Sequence, residues 1–159
     1  MVPVMRALFP LPLAALFAIS AGADAQSLVR RYAGGYEWDA LLREPPVRAE
    51  LVRLLGAELA HLERNLFVSG TIDLIGGWLV VTGNAAHGGG EEEAVVCLWG
   101  DRLSVSVGIL SRDTIRVFTP ATTYDGVPIC IKDWITQVNS GHRDRFEPAG
   151  NVRLVPRRP

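Results

Sequence analysis

At Asn65 the rhythm of the chain changes, and that change limits its fold more than any other feature. Before it, Val47, Leu51, Leu54, Leu55, Leu59 and Leu62 recur at steps of three and four, the spacing that lines apolar side chains along one helix face. Beyond it, short stretches rich in β-branched and aromatic residues follow one another: Ile72 to Leu74, Trp78 to Thr82, Ala94 to Trp99, Leu103 to Leu110 and Thr114 to Phe118. Gly76-Gly77, Gly100-Asp101 and Arg112-Asp113 separate them, each short enough for an antiparallel hairpin.

The first pattern predicts an amphipathic helix from Val47 to about Arg64, with Pro46 in its first turn, where a missing N–H costs nothing. Arg48, Glu50, Arg53, Glu58, Glu63 and Arg64 give it a mixed, solvated face without a functional signal. A helical turn at Trp38, Leu41 and Leu42 precedes it and stops at Pro45-Pro46, while Gln26 to Tyr36 reads as a lead-in that orders against the body. In the strand region Leu103, Val105, Val107 and Ile109 share one face and Ser104, Ser106 and Gly108 the other, the signature of an antiparallel sheet with one buried and one wet face. Helical spacing returns after Pro128 in Ile131, Trp134, Ile135 and Val138, and Asn139-Ser140-Gly141 supplies the stop. The expected architecture is α+β: about five antiparallel strands, with an N-terminal amphipathic helix and a C-terminal helix packed on the apolar face of the sheet. Residues 26–155 are expected to form one domain, and 156–159 a disordered tail.

The first 25 residues read as a signal peptide. Arg6 precedes an apolar run from Ala7 to Ile19, and Ala23-Asp24-Ala25 offers a cleavage site that would leave Gln26 as the mature N-terminus. That run is shorter than the ~20 residues a membrane span needs, and no later segment is longer. An exported, soluble protein is expected. Arginine greatly outnumbers lysine, of which Lys132 is the sole example, a bias that suggests a bacterial genome rich in GC and hence the periplasm or the medium.

Export gives the two cysteines their meaning. Cys97 and Cys130 lack the Cys-x-x-Cys spacing of a redox pair, and in an oxidising compartment a disulfide between them is the expectation. Separately buried thiols are the alternative. The charge balance of 16 basic against 17 acidic residues gives no electrostatic reason to expect nucleic acid or an anionic membrane as partner.

The one connection too long for a tight hairpin is the stretch Gly83, Asn84, Ala85, Ala86, His87, Gly88, Gly89, Gly90 and Glu91. Without a large apolar side chain it is expected to project into solvent as a candidate contact loop with His87 near its middle. The plain alternative is a wide turn carrying a solvated histidine. His-Gly-Gly-Gly also serves as an oxyanion-hole element in esterases, but that reading needs a Gly-x-Ser-x-Gly turn, which this chain lacks. A metal site of His87 with Glu91, Glu92 and Glu93 fails because consecutive carboxylates point apart, and His61 and His142 stand without ligand spacing. His61, next to Leu62, reads as a boundary residue of the helix. No enzymatic activity and no cofactor are expected.

From Gly70-Thr71 through Trp78-Leu79-Val80-Val81 and the loop to Ala94-Val95-Val96 and Gly108-Ile109-Leu110-Ser111, the chain resembles the periplasmic inhibitors of vertebrate lysozyme, the Ivy family. The resemblance implies a helix before an antiparallel sheet and a histidine-bearing loop between two central strands. It further implies a protein partner, a c-type lysozyme, whose cleft would receive His87, with Asn84 to Glu91 as the binding loop and Glu91, Glu92 and Glu93 attracting a cationic enzyme. The family's loop reads Cys-x-x-His-x-Cys; here Asn84 and Gly89 stand at the cysteine positions. With three glycines and no covalent brace, the loop is expected to order on binding unless hydrogen bonds from Asn84 replace the staple. A non-catalytic envelope protein with another partner, including a second copy of itself in a homodimer, is the competing reading.

Overall fold

The computed structural model describes residues 21–99, 103–139 and 147–155, with side chains from residue 26 onward. Residues 1–20, on which most of the expected signal peptide falls, the Gly100-Asp101 turn, Ser140-Gly141 and the expected tail 156–159 lie outside the described residues.

Four helices come first: α1 (Ala21–Tyr32), α2 (Trp38–Arg43), α3 (Pro45–Leu55) and α4 (Leu59–Asn65). The lead-in is therefore ordered, with Leu28 and Tyr32 of α1 buried in the core. The single helix expected from Val47 to Arg64 is in fact two. Gly56, at φ +54°, ends α3, and a 3-10 turn over Gly56–Glu58 leads into α4. The apolar face continues across the break: Leu51, Leu55, Leu59 and Leu62 are all buried.

The sheet follows: β1 (Val68–Ser69), β2 (Asp73–Ile75), β3 (Trp78–Asn84), β4 (Glu92–Trp99), β5 (Ser104–Ser111), β6 (Thr114–Phe118) and, after α5 (Ile129–Val138), β7 (Val152–Val155). Its order is β1-β3-β4-β5-β6-β7, with β2 also pairing β3, and all contacts are antiparallel except the parallel β6–β7 pair. The fold is α+β as expected, with seven strands among the described residues where about five were read from the sequence. The two additional strands are short and their pattern is weak: β1 spans two residues, and β7 lies in a segment that read as an extended tail.

The expectation of one wet sheet face is overturned. Leu79, Val81, Ala94, Val96, Leu98, Val105, Val107 and Ile109 pack against α1 to α4, while Val80, Val95, Cys97, Leu110, Ile115 and Val117 pack against Cys130, Ile131, Trp134 and Ile135 of α5. The sheet is thus the middle of three layers, and the C-terminal helix covers the face opposite the N-terminal helices. Small and polar residues misled the reading. Gly108 clears room for the Trp134 ring, since a Cβ there would lie 2.6 Å from a ring carbon, and Ser106 is buried against Thr119 through a 2.9 Å hydroxyl hydrogen bond. The disulfide between Cys97 and Cys130, with Cα atoms 6.4 Å apart, ties β4 to α5 inside this second core. Among the described residues no helix is long and apolar enough to cross a membrane.

Candidate functional site

Strands β3 and β4 run antiparallel up to the Asn84–Glu93 pair, and the loop springs from that end. It is more compact than its glycine content suggested. The Ala85 N–H donates to Glu92 O at 2.9 Å, Gly88 to Ala85 O at 2.9 Å, Glu91 to Gly88 O at 3.1 Å and Glu92 to Gly88 O at 2.7 Å, so the segment closes on itself in successive tight turns. Gly88 lies inside this closure, where a Cβ would come within 3.0 Å of the Ala85 Cβ and 3.1 Å of the Glu92 Cβ. The expectation of a loop that orders only on binding therefore gives way to a preformed one.

Asn84 contributes as the alternative required: its Nδ2 donates to Ala85 O at 2.7 Å. Position 89 is its neighbour in space, because a Cβ on Gly89 would lie 4.0 Å from Asn84 Nδ2. Two positions five residues apart in the chain thus meet across the loop.

His87 occupies the exposed turn of this structure in the left-handed region, φ 60°. That conformation is uncommon for a residue with a Cβ and costs on the order of 1 kcal/mol. Its imidazole makes no hydrogen bond or ion pair with the described residues. The histidine is thus held outward by backbone geometry, with both ring nitrogens free to meet a partner.

The three glutamates at the loop base stand in different surroundings. Glu93 Oε1 accepts from the Gly90 N–H at 2.6 Å, bracing the loop. Glu92 turns inward, having the same strand parity as Ala94, Val96 and Leu98. Its Oε2 lies 2.8 Å from His61 Nε2 and 3.4 Å from Asn65 Nδ2, and its Oε1 accepts from Ser111 Oγ at 2.8 Å. Glu91 alone remains exposed, and its carbonyl accepts from the Arg112 N–H at 2.7 Å, tying the β5–β6 turn to the loop.

Behind Glu92 stands a polar clasp that the sequence reading missed. Arg116 on β6 donates to both Glu58 oxygens, at 2.7 Å and 2.9 Å, and its Nη2 lies 3.1 Å from His61 Nδ1. An imidazole carrying its proton on Nε2 donates to Glu92 while accepting from Arg116, so one histidine joins two carboxylate sites. Asn65 Nδ2 also donates to Leu110 O at 3.1 Å and Glu93 O at 3.2 Å, fixing the end of α4 to two strands. The paired hydrogen bonds from Arg116 hold the Glu58 carboxyl below its ordinary pKa. Burial pushes Glu92 upward, but hydrogen bonds from His61, Ser111 and Asn65 outweigh it and its pKa also ends lowered. The signal was present in the spacing, since Glu58, His61 and Asn65 fall at i, i+3 and i+7, but Glu58 read as part of the solvated face and His61 as a boundary residue.

The disulfide serves the second core, not the loop. Among the described residues no cluster of His, Cys, Asp and Glu is arranged to hold a metal ion.

The family model described as "Inhibitor of vertebrate lysozyme (Ivy)" matches residues 46–140, from the start of α3 through the whole loop to the end of α5. No curated protein and no solved structure matches the chain.

Proposed function

This chain belongs to the family of inhibitors of vertebrate lysozyme, and on that premise we propose that it is an exported inhibitor of c-type lysozyme that acts by inserting His87 into the enzyme cleft. The observation that carries the reading is the closed loop with His87 at its exposed turn, its ring free of any partner among the described residues. Such an enzyme works with two carboxyl groups about 5–5.5 Å apart, one protonated as the acid and the other ionised. A neutral imidazole placed between them donates to the ionised group and accepts from the protonated one. It thereby occupies the space of the scissile bond and satisfies both catalytic groups.

Preformation supports the same reading. A loop ordered before binding avoids backbone entropy losses of about 1 kcal/mol per residue that a flexible one would meet on association. Hydrogen bonds through Asn84, Glu92 and Glu93 perform here the bracing that the cysteine positions of the family loop perform covalently. Glu91 and Glu93, neither of which is paired with a cation among the described residues, favour the approach of a cationic enzyme.

Titrating the mature protein into a cell-wall lysis assay with a c-type lysozyme at low salt tests the proposal. Stoichiometric inhibition by the wild type, lost in His87→Ala at unchanged melting temperature, is the expected result. No inhibition at micromolar protein would sink it and leave the scaffold with a different partner. Export is tested separately by the mass of the protein recovered from the periplasm, which should begin at Gln26.

A further inference from the structure

Two apolar side chains stand bare at the foot of the loop. Phe67 is 71 % and Val68 50 % exposed, although Leu66 just before them is fully buried. They are held firmly. The Phe67 N–H donates to Arg64 O at 3.3 Å, and Val68 and Ser69 pair with Asn84 and Gly83, so β1 lies along the last residues of β3 before the loop. Gly83 permits that approach, since a Cβ there would meet the Val68 carbonyl oxygen at 2.7 Å and the Leu66 Cα at 3.1 Å. Burying a phenylalanine is worth about 2 kcal/mol, which this position forgoes in the free protein.

The reach of the loop says what covers them. His87 lies three residues beyond Asn84, and at no more than ~3.5 Å per residue its backbone stands at most about 10 Å above the Asn84–Glu93 pair. A cleft at least that deep that takes His87 to its floor brings one lip down to the loop base, where Phe67 and Val68 are exposed. The centres of tight protein interfaces favour aromatic groups of this kind and disfavour charge.

We propose that Phe67 and Val68 form an apolar shoulder of the partner-binding face and pack against the lip of the same glycosidase cleft that receives His87. The proposal rests on the inhibitor reading above and adds a second contact to it. Leu74 on β2 provides the control: it is 51 % exposed on the same flank of β3, but it pairs with Leu79, about 16 Å along the strand from Asn84.

Inhibition constants and melting temperatures of wild type, His87→Ala, Phe67→Ala, the double variant Phe67→Ala/Val68→Ala and Leu74→Ala test it. Phe67→Ala should weaken inhibition about tenfold or more, mainly through faster dissociation, and the double variant further, with melting temperatures unchanged and Leu74→Ala like the wild type. Full inhibition by Phe67→Ala, alongside loss in His87→Ala, would remove the shoulder and leave the inhibitor reading standing. Equal weakening by Leu74→Ala would also overturn it, as would a Phe67→Ala effect confined to self-association in sedimentation. If the wild type fails to inhibit, both proposals fall together.

Discussion

His61 Nε2 lies 2.8 Å from Glu92 Oε2, joining a helix to the strand residue on which the loop closes. The same Glu92 uses its backbone N–H and C=O to hold Gly88 and Ala85. A side-chain contact in the helical layer therefore fixes the foot of a loop whose exposed histidine lies elsewhere, and the loop inherits its order from the core.

Replacing His61 should loosen the loop without unfolding the protein. His61→Ala removes the bridge between Glu58–Arg116 and Glu92, and a loss of about 1–2 kcal/mol in stability is expected from denaturant titration. Hydrogen exchange at the amides of Gly88 and Glu92 should rise by more than that at the amides of Val95 to Leu98 in β4 and of β5. Uniform acceleration across the sheet would show that the clasp supports the fold and not the loop.

Acid should undo the clasp. Glu58 and Glu92 both have lowered pKa values in the folded protein, so the unfolded chain binds protons more readily. The stability they contribute is complete above the ordinary carboxylate value of 4.5 and is lost as the pH falls through their lowered values. Melting temperatures measured downward from pH 6 should fall below that point, and less steeply for Glu58→Gln/Glu92→Gln than for the wild type. Parallel curves would assign the acid sensitivity to other groups.

The double variant Asn84→Cys/Gly89→Cys should form a second disulfide spontaneously in an oxidising compartment. A Cβ at position 89 would fall 4.0 Å from Asn84 Nδ2, so the two side-chain positions are neighbours across the loop, and the link tests whether their Cβ atoms come within the about 3.5–4.5 Å that a disulfide needs. Mass spectrometry of a peptide digest should find the 84–89 link beside Cys97–Cys130. Because the loop is already ordered, affinity for the target should change by less than about tenfold.

His87→Gly separates stability from function. Glycine adopts a φ of 60° without the strain that histidine bears there, so the variant should equal or exceed the wild type in stability by up to ~1 kcal/mol while inhibition disappears. A marked drop in melting temperature would mean that the imidazole supports the loop.

Legibility varied along the chain for physical reasons. The periodicity of Val47 to Leu62, the alternation of Leu103 to Ile109 and the spacing of Ile131 to Val138 each reported a local face; the last two produced the expected strand and helix, and the first produced two helices, α3 and α4, where one was expected. The loop with His87 was legible from its length and its lack of apolar side chains. Three features were not. The second buried face was hidden because Gly108 and Ser106 read as solvent-facing, although one yields space to Trp134 and the other meets Thr119. The order of the loop was hidden because its brace is made of backbone groups and of residues from α4, β5 and β6. The strand β7 was hidden because four residues beside prolines and arginines carry little pattern.

The sequence by itself determined the class of fold, the strands β2 to β6 of the sheet, the helical character of the segments before Asn65 and after Pro128, and the position of the exposed loop, since these follow from repeating patterns of apolar and turn residues that need only near neighbours. Tertiary structure alone decided that α5 covers the far face, that Glu92 faces inward while Glu91 does not, and that Phe67 and Val68 stand at the foot of the loop. Those facts depend on which residues meet across separations of tens of positions, as Glu58 meets Arg116 and His61 meets Glu92. A polar side chain looks the same in a sequence whether it meets water or a partner, and packing alone chooses between them.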